Sequence, residues 1–312
     1  MKIKFLKLFL ILLLFVSEIY ALNRTVPIYI GPESVGRASM LIIDQFSTET
    51  FYFNPSIINE VKTVEFAYNV SSGNISALSY KFFKNDFGLT IGMFYYPAYH
   101  QSRKYNSYLY SLSTSIDIAG LLLGLNLNYD RLSYEQNIGN GFDFSIGIKK
   151  TGLFEGRKID VALAYRKETT LNWKNETYII EKLPSQISLG TILSENNFDF
   201  TFAILYLFPV SKNEFVNVVS PIYDDEIRVS FSFSTILTLL LKFKFNLGYQ
   251  QIFDHQVNNI SKKFIGIGLD FPLKKLILKV GYNSNNIIEK SEEKIENFSI
   301  GLSLNLIKEV GK

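Results

Sequence analysis

The 312-residue chain contains no cysteine and only two histidines, His100 and His255. Disulfide bonds, thiol catalysis, cysteine-ligated metal sites and a lipidated N-terminal cysteine are therefore excluded, and a multi-histidine metal site is not expected. The formal net charge is only +3 and the lysines are scattered, so no surface for nucleic acid is predicted. A hydrophobic content of 47% excludes a disordered chain. We expect no cofactor.

Long apolar runs are also missing once the N-terminus is passed. No later stretch has about 18 uncharged apolar residues, so no transmembrane helix is predicted. Met1–Lys7 carries positive charge, Leu8–Val16 is apolar, and a small residue follows at Ala21. This pattern is typical of a signal peptide, and we predict cleavage after Ala21. A membrane anchor is the alternative, but the apolar run is too short to span a bilayer.

Most of the remaining chain alternates between apolar and polar residues. In Leu121–Asp130 the odd positions are Leu or Tyr, and the even positions from 124 on are Gly, Asn or Asp; Phe198–Phe208 alternates likewise. Successive side chains of a strand point to opposite faces, so each segment has one apolar face, about as long as a tilted membrane strand. Fourteen such strands are predicted, at residues 61–70, 75–83, 87–96, 105–118, 121–132, 141–150, 158–167, 185–194, 198–208, 226–236, 239–250, 263–271, 275–283 and 297–307.

The predicted connections alternate in length. Six long ones span residues 97–104, 133–140, 168–184, 209–225, 251–262 and 284–296, and most of the others are short. Short turns at one rim and long loops at the other are typical of an outer-membrane barrel.

Charges within the strands lie opposite the apolar face and are predicted to line the lumen. The main ones are Glu65, Asp117, Asp143, Arg166, Arg228, Lys242 and Lys244. Because both signs occur, we expect ion pairs rather than an ion-selective ring. Arg131 and Lys308 break the parity, at strand ends. The prediction is an all-β transmembrane antiparallel barrel of about 14 strands, since a soluble sandwich of that size would be unusually large.

Residues 22–60 lack sustained alternation and contain several prolines and glycines, with one short helix predicted around 39–47. Within them, Val35–Met40, Asp44 and Phe53–Ser56 resemble the start of the FadL-like outer-membrane barrels, the long-chain fatty-acid transporter superfamily with its PorV and PorQ relatives. The matching positions are Gly36, Ala38, Asp44, Asn54 and Pro55.

The resemblance also has departures. Arg37 is bulkier than the family pattern, and Ser39 and Ser56 replace its usual small residues. The chain ends on a polar tail, Lys308–Lys312, where outer-membrane barrels commonly end on an aromatic residue.

After the signal peptide predicted at 1–21, the resemblance implies two parts: a hatch at 22–60 that fills the lumen, and an outer-membrane barrel at 61–312. A barrel of this size has a lumen that needs filling, and irregular backbone at membrane depth must be buried in protein. The implied location is the bacterial outer membrane, in contact with its lipid.

Two functions follow as alternatives. The first is passage of hydrophobic, fatty-acid-like small molecules, with ligand contacts in the 168–184 loop at Trp173, Tyr178, Ile179 and Ile180. The second is a non-transporting, PorV-like surface scaffold that binds secreted or surface proteins through its long loops. Catalysis is not expected, because Asp254 and His255 are adjacent and point apart in an extended chain.

Overall fold

The computed structural model describes residues 31–38, 42–43, 50–57, 63–70, 74–84, 86–100, 103–134, 136–153, 158–173, 182–195, 197–209, 225–238, 242–254, 260–273, 275–285 and 296–306. The helices are short: α1 is Pro32–Gly36 and α2 is Thr50–Phe53. Neither the length nor the hydropathy of any helix in these ranges would allow it to cross a membrane.

The strands account for most of the described residues. They are β1 (Thr63–Asn69), β2 (Asn74–Lys84), β3 (Phe87–His100), β4 (Arg103–Ile118), β5 (Leu121–Tyr134), β6 (Asn137–Lys150), β7 (Lys158–Arg166), β8 (Thr169–Thr170), β9 (Asn172–Trp173), β10 (Lys182–Leu183), β11 (Gln186–Glu195), β12 (Phe198–Leu207), β13 (Glu226–Thr238), β14 (Lys242–Asp254), β15 (Ile260–Leu273), β16 (Leu276–Ser284) and β17 (Glu296–Asn305).

The long strands form one closed antiparallel barrel. Each pairs with its neighbours in sequence, β7 pairs with β11, and β1 pairs with both β2 and β17, which closes the sheet. The two-residue strands β8, β9 and β10 only prolong β7 and β11. The predicted barrel of fourteen antiparallel strands is therefore confirmed.

The two faces of the wall have opposite character. On β5, Leu125 and Leu127 point outward and are 45% and 55% exposed, whereas Asn126, Asn128 and Asp130 point inward and are buried. The other strands repeat this pattern. An apolar outer face around a polar interior is the reverse of a soluble protein and is what a transmembrane barrel requires.

Two predicted long connections are wrong. For 97–104, β3 and β4 stay paired up to His100 and Arg103; for 133–140, β5 and β6 stay paired up to Tyr134 and Asn137. Beyond the bilayer the outward face need not be apolar, so the alternation fades while the hydrogen-bonded ladder continues.

The predicted 168–184 loop is also shorter than expected, because strand pairing resumes within it. Ser145 of β6 pairs with Arg166, and Gly139 of β6 pairs with Trp173. The segment from β7 to β9 therefore uses one residue more than β6 between these two pairs. That extra residue is a β-bulge, which turns Thr169 and Leu171 into the lumen, where both are buried.

We call the rim that carries the β2–β3, β4–β5 and β11–β12 turns the short-turn rim, and the opposite one the long-loop rim. Tyrosines on the outer face mark a level near the long-loop rim. Their hydroxyls donate hydrogen bonds of 2.8–3.3 Å to polar side chains one step nearer that rim, in the pairs Tyr95–Asn106, Tyr129–Asn140, Tyr206–Asp225, Tyr249–Gln251 and Tyr282–Glu296.

This tyrosine girdle fixes the height of the apolar band. Tyr129 lies eight residues from Leu121, the start of β5. Eight residues of a tilted strand rise roughly 20 Å, close to the apolar band of about 25 Å in membrane barrels. The girdle therefore lies where the bilayer core ends.

Candidate functional site

The N-terminal residues that the structure describes lie inside the barrel. We call residues 31–38, 42–43 and 50–57 the plug segment; they are buried throughout. Pro32 begins α1, and Ser34 caps it by accepting from the Gly31 N–H at 3.1 Å. After α2, the Asn54 side-chain oxygen accepts from the Ser56 N–H at 3.0 Å, which closes a turn around Pro55.

Inward-facing glycines of the wall form the seat of this segment. They are Gly92, Gly124, Gly147, Gly190, Gly248, Gly266, Gly268, Gly281 and Gly301, and each would bring an added Cβ against a plug residue. A Cβ on Gly268 would lie 3.1 Å from the Cα of Gly36, and one on Gly266 would lie 2.5 Å from the backbone nitrogen of Ala38. At Gly266 and Gly268, backbone therefore meets backbone, which only glycine permits.

The predicted hatch residues thus have definite places. Gly36 and Ala38 face β15, Pro55 faces Gly124 of β5, and Asn54 faces Gly147 of β6. Asp44 lies outside the described residues. Sequence reasoning missed the glycine seat, although the signal was there: these glycines occupy the polar face of their strands.

One ion-pair network joins α1 to the wall. We call Glu33, Glu65 and Lys279 the Lys279 network. The Lys279 ammonium lies 3.1 Å from a Glu33 carboxylate oxygen and also contacts Glu65, and all three side chains are buried. Arg37 adds a 3.7 Å contact to Glu33. Here the plug segment itself supplies one of the charges.

A second network lies mostly within the wall, nearer the long-loop rim. We call Asp130, Asp143, Arg166 and Thr169 the Arg166 network. One guanidinium nitrogen lies 2.7 Å from Asp130 and 2.6 Å from Asp143, and Thr169 donates to Asp143. The plug contributes only Tyr52, whose hydroxyl accepts from Arg166 Nη1 at 3.1 Å. Burial raises the pKa of Tyr52 to about 12, so this contact is made by a neutral phenol.

The other predicted lumen charges lie elsewhere. Asp117 is half-buried and caps the β4–β5 turn by accepting from the Gly120 N–H at 2.8 Å. Arg228 is buried and pairs with Glu226. Lys242 and Lys244 are more exposed.

A cavity of about 450 Å³ opens inside the short-turn rim, beside α1. Its charged lining residues are Glu33, Asp199, Lys242, Lys244, Asp270 and Lys279. Three acidic and three basic groups give it no net sign, so it is a mixed-charge vestibule. Among the described residues, no group of three or more acidic, histidine or cysteine side chains could hold a metal ion.

The inward face changes character towards the long-loop rim. There the wall presents buried apolar side chains, which we call the apolar tier: Leu109, Leu132, Leu171, Leu183, Leu205, Leu207, Ile252 and Phe264. Most of them form one cluster with Phe51, Tyr52 and Phe53 of α2. The rings of Phe51 and Phe94 lie 5.1 Å apart, which joins the plug to the wall. The aromatic helix α2 therefore forms the floor of the tier.

Of the predicted ligand-contact residues, Trp173 lies at the end of β9 with its indole over inward-facing Gly139, packed against the same cluster. Tyr178, Ile179 and Ile180 lie outside the described residues.

No protein-family model and no curated protein sequence matches the chain. Solved structures match its fold over nearly its whole length. The CymD monoaromatic hydrocarbon channel aligns with a TM-score of 0.70 and 10% identity over 90% of this chain and 98% of that one. A FadL homologue of Pseudomonas aeruginosa gives 0.63 and 10% over 92% and 100%, and the toluene transporter TbuX of Ralstonia pickettii gives 0.62 and 9% over 88% and 98%.

The chain therefore shares the barrel fold of these FadL-type proteins, and the resemblance drawn from the sequence is confirmed at the level of the fold. At about 10% identity the likeness concerns the architecture and not the ligand.

Proposed function

We propose that the protein lies in a bacterial outer membrane and lets small hydrophobic molecules pass through its lumen. One observation carries this proposal: the apolar tier. Membrane barrels of this kind ordinarily have a polar interior. Eight buried Leu, Ile and Phe side chains on the inward face, above an aromatic floor, have no role in an aqueous pore. They fit a path for molecules that avoid water.

The path begins at the long-loop rim. Trp173 and the predicted contacts Tyr178, Ile179 and Ile180 would meet the ligand first, and the apolar tier would receive it. The plug segment fills the lumen below, so passage requires part of it to move. The mixed-charge vestibule on the other side would not retain an apolar molecule, which favours release there. The matched CymD hydrocarbon channel and TbuX toluene transporter agree with this substrate class.

The proposal is tested by uptake of radiolabelled toluene and of a labelled fatty acid into cells that produce the protein. Leu132→Asn or Leu205→Asn places a buried amide in the tier and should lower uptake about tenfold, because an unpaired buried polar group costs on the order of 1–3 kcal/mol. Leu127→Ala is the matched control, since it alters the outer face of the same strand as Leu132 and should leave uptake unchanged.

A gel shift on heating verifies that each variant forms a barrel. Equal uptake of both labels by producing and non-producing cells would overturn the proposal. The scaffold alternative is not proposed, because no contact among the described residues favours it and most of the 209–225 loop lies outside them.

A further inference from the structure

The outer wall has a groove where a barrel is expected to be convex. It lies across β1 to β6, has a volume of about 770 Å³, and is bounded on its outer face by residues that include Ile91, Leu112, Leu127, Tyr129 and Phe142. These side chains are apolar or aromatic, and Phe142 is 76% exposed. The volume falls within the roughly 300–1,000 Å³ of pockets that take a small organic molecule.

Directly above this groove lies a charge that breaks the wall's pattern. Arg131 points outward, on the same face of β5 as Tyr129 and one step nearer the long-loop rim, and it is exposed. It is in register with Asn140, the residue that accepts the Tyr129 hydroxyl hydrogen bond. Arg131 therefore lies at the level of the tyrosine girdle, where the apolar band ends.

This depth determines what the guanidinium can do. At mid-bilayer an outward Arg is strongly unfavourable, but near the interface the cost almost disappears. The neighbouring Asp130 points into the lumen and binds Arg166. Among the described residues, no side chain forms an ion pair with Arg131. The N–H donors of Arg131 are thus directed at the head-group layer. A guanidinium forms bidentate hydrogen bonds with phosphate oxygens.

We propose that Arg131 and the groove together bind one anionic lipid of the leaflet on the long-loop side. The phosphate of the head group is held by Arg131, and an acyl chain lies in the groove between Tyr129 and Leu112. This site is separate from the lumen and does not depend on the proposed passage of small molecules.

A second outer groove supplies a comparison within the same molecule. It lies on β11 to β14, has a volume of about 400 Å³ and is lined by several phenylalanines, among them Phe202 and Phe231. At the girdle level of β12 on this side, the hydroxyl of Tyr206 donates to the carboxylate of Asp225. We expect this groove to show no preference for anionic lipid.

The test is native mass spectrometry of the purified full-length barrel in mixed micelles. The micelles contain phosphatidylglycerol and phosphatidylcholine with identical acyl chains in equal amounts. We expect the protein to retain one phosphatidylglycerol in about tenfold preference, the ratio that one charge-assisted contact of roughly 1.4 kcal/mol gives. Arg131→Gln should abolish the preference, and Leu112→Trp, which fills the groove, should reduce retention of both lipids.

Lys150→Gln is the matched control, because Lys150 is an exposed cation at the other end of β6. It should leave the preference intact. Heating-dependent gel migration confirms that each variant is folded. A preference that survives Arg131→Gln, or that Lys150→Gln reduces equally, would show that net charge rather than this site selects the lipid, and would overturn the proposal.

Discussion

The two ion-pair networks of the lumen hold the plug segment in different ways. In the Lys279 network the plug provides a full charge, Glu33, to a cation of the wall. In the Arg166 network the wall provides both signs, and the plug adds only the neutral hydroxyl of Tyr52. Removing α1 would leave Lys279 with one carboxylate fewer, whereas removing α2 would leave Arg166 paired with both aspartates.

This difference indicates which part of the plug can move. Separating a buried charged pair leaves an uncompensated charge, while breaking one hydrogen bond to a neutral group costs much less. The first helix is therefore an anchor. The second helix, which forms the floor of the apolar tier, is held by aromatic packing and by two hydrogen bonds to neutral groups, one from Arg166 to the Tyr52 hydroxyl and one from Ser188 to the Phe53 carbonyl. It is therefore the part that a passing ligand can displace.

The largest expected effect is at the anchor. Lys279→Met removes the buried cation that Glu33 and Glu65 share and should lower the free energy of unfolding by about 3–5 kcal/mol. The measurement is the urea concentration at which the heat-dependent gel shift disappears. Lys150→Met serves as the exposed-cation control. A barrel as stable as the unmodified one would mean that Glu33 is not anchored by charge.

The smaller effect is at the second helix. Tyr52→Phe removes one hydrogen-bond acceptor from Arg166, which keeps its two aspartates, and should cost about 1–3 kcal/mol. Because α2 is the displaceable part, the same variant should also take up labelled toluene at least as fast as the unmodified protein. A stability loss as large as that of Lys279→Met would show that the two networks hold the plug alike.

The barrel could be predicted from the sequence because the alternation of apolar and polar residues is visible within each strand separately. In Leu121–Tyr134 the two-residue period alone separates the face towards lipid from the face towards the lumen. The same reasoning failed at 97–104 and 133–140, where the strands leave the bilayer and the period loses its meaning while the pairing persists.

The lumen was less predictable because its contacts join residues far apart in the chain. Charges such as Asp143 and Arg166 could be placed on inward faces, but nothing in the sequence shows that one guanidinium binds two aspartates and Tyr52. The apolar tier also escaped, because an inward Leu at the long-loop end of a strand, such as Leu132, looks like a break in the pattern.

The most direct test of the account is to lock the plug segment to the wall. A Cβ on Gly190 would lie 3.5 Å from the Cβ of Ile43, within the range of disulfide bonds, and the chain has no other cysteine to interfere. The double variant Ile43→Cys with Gly190→Cys should lose toluene uptake when oxidised and regain it on reduction. Each single variant should take up toluene equally well under oxidising and reducing conditions. Full uptake by the completely cross-linked barrel would contradict the claim that passage requires the plug to move.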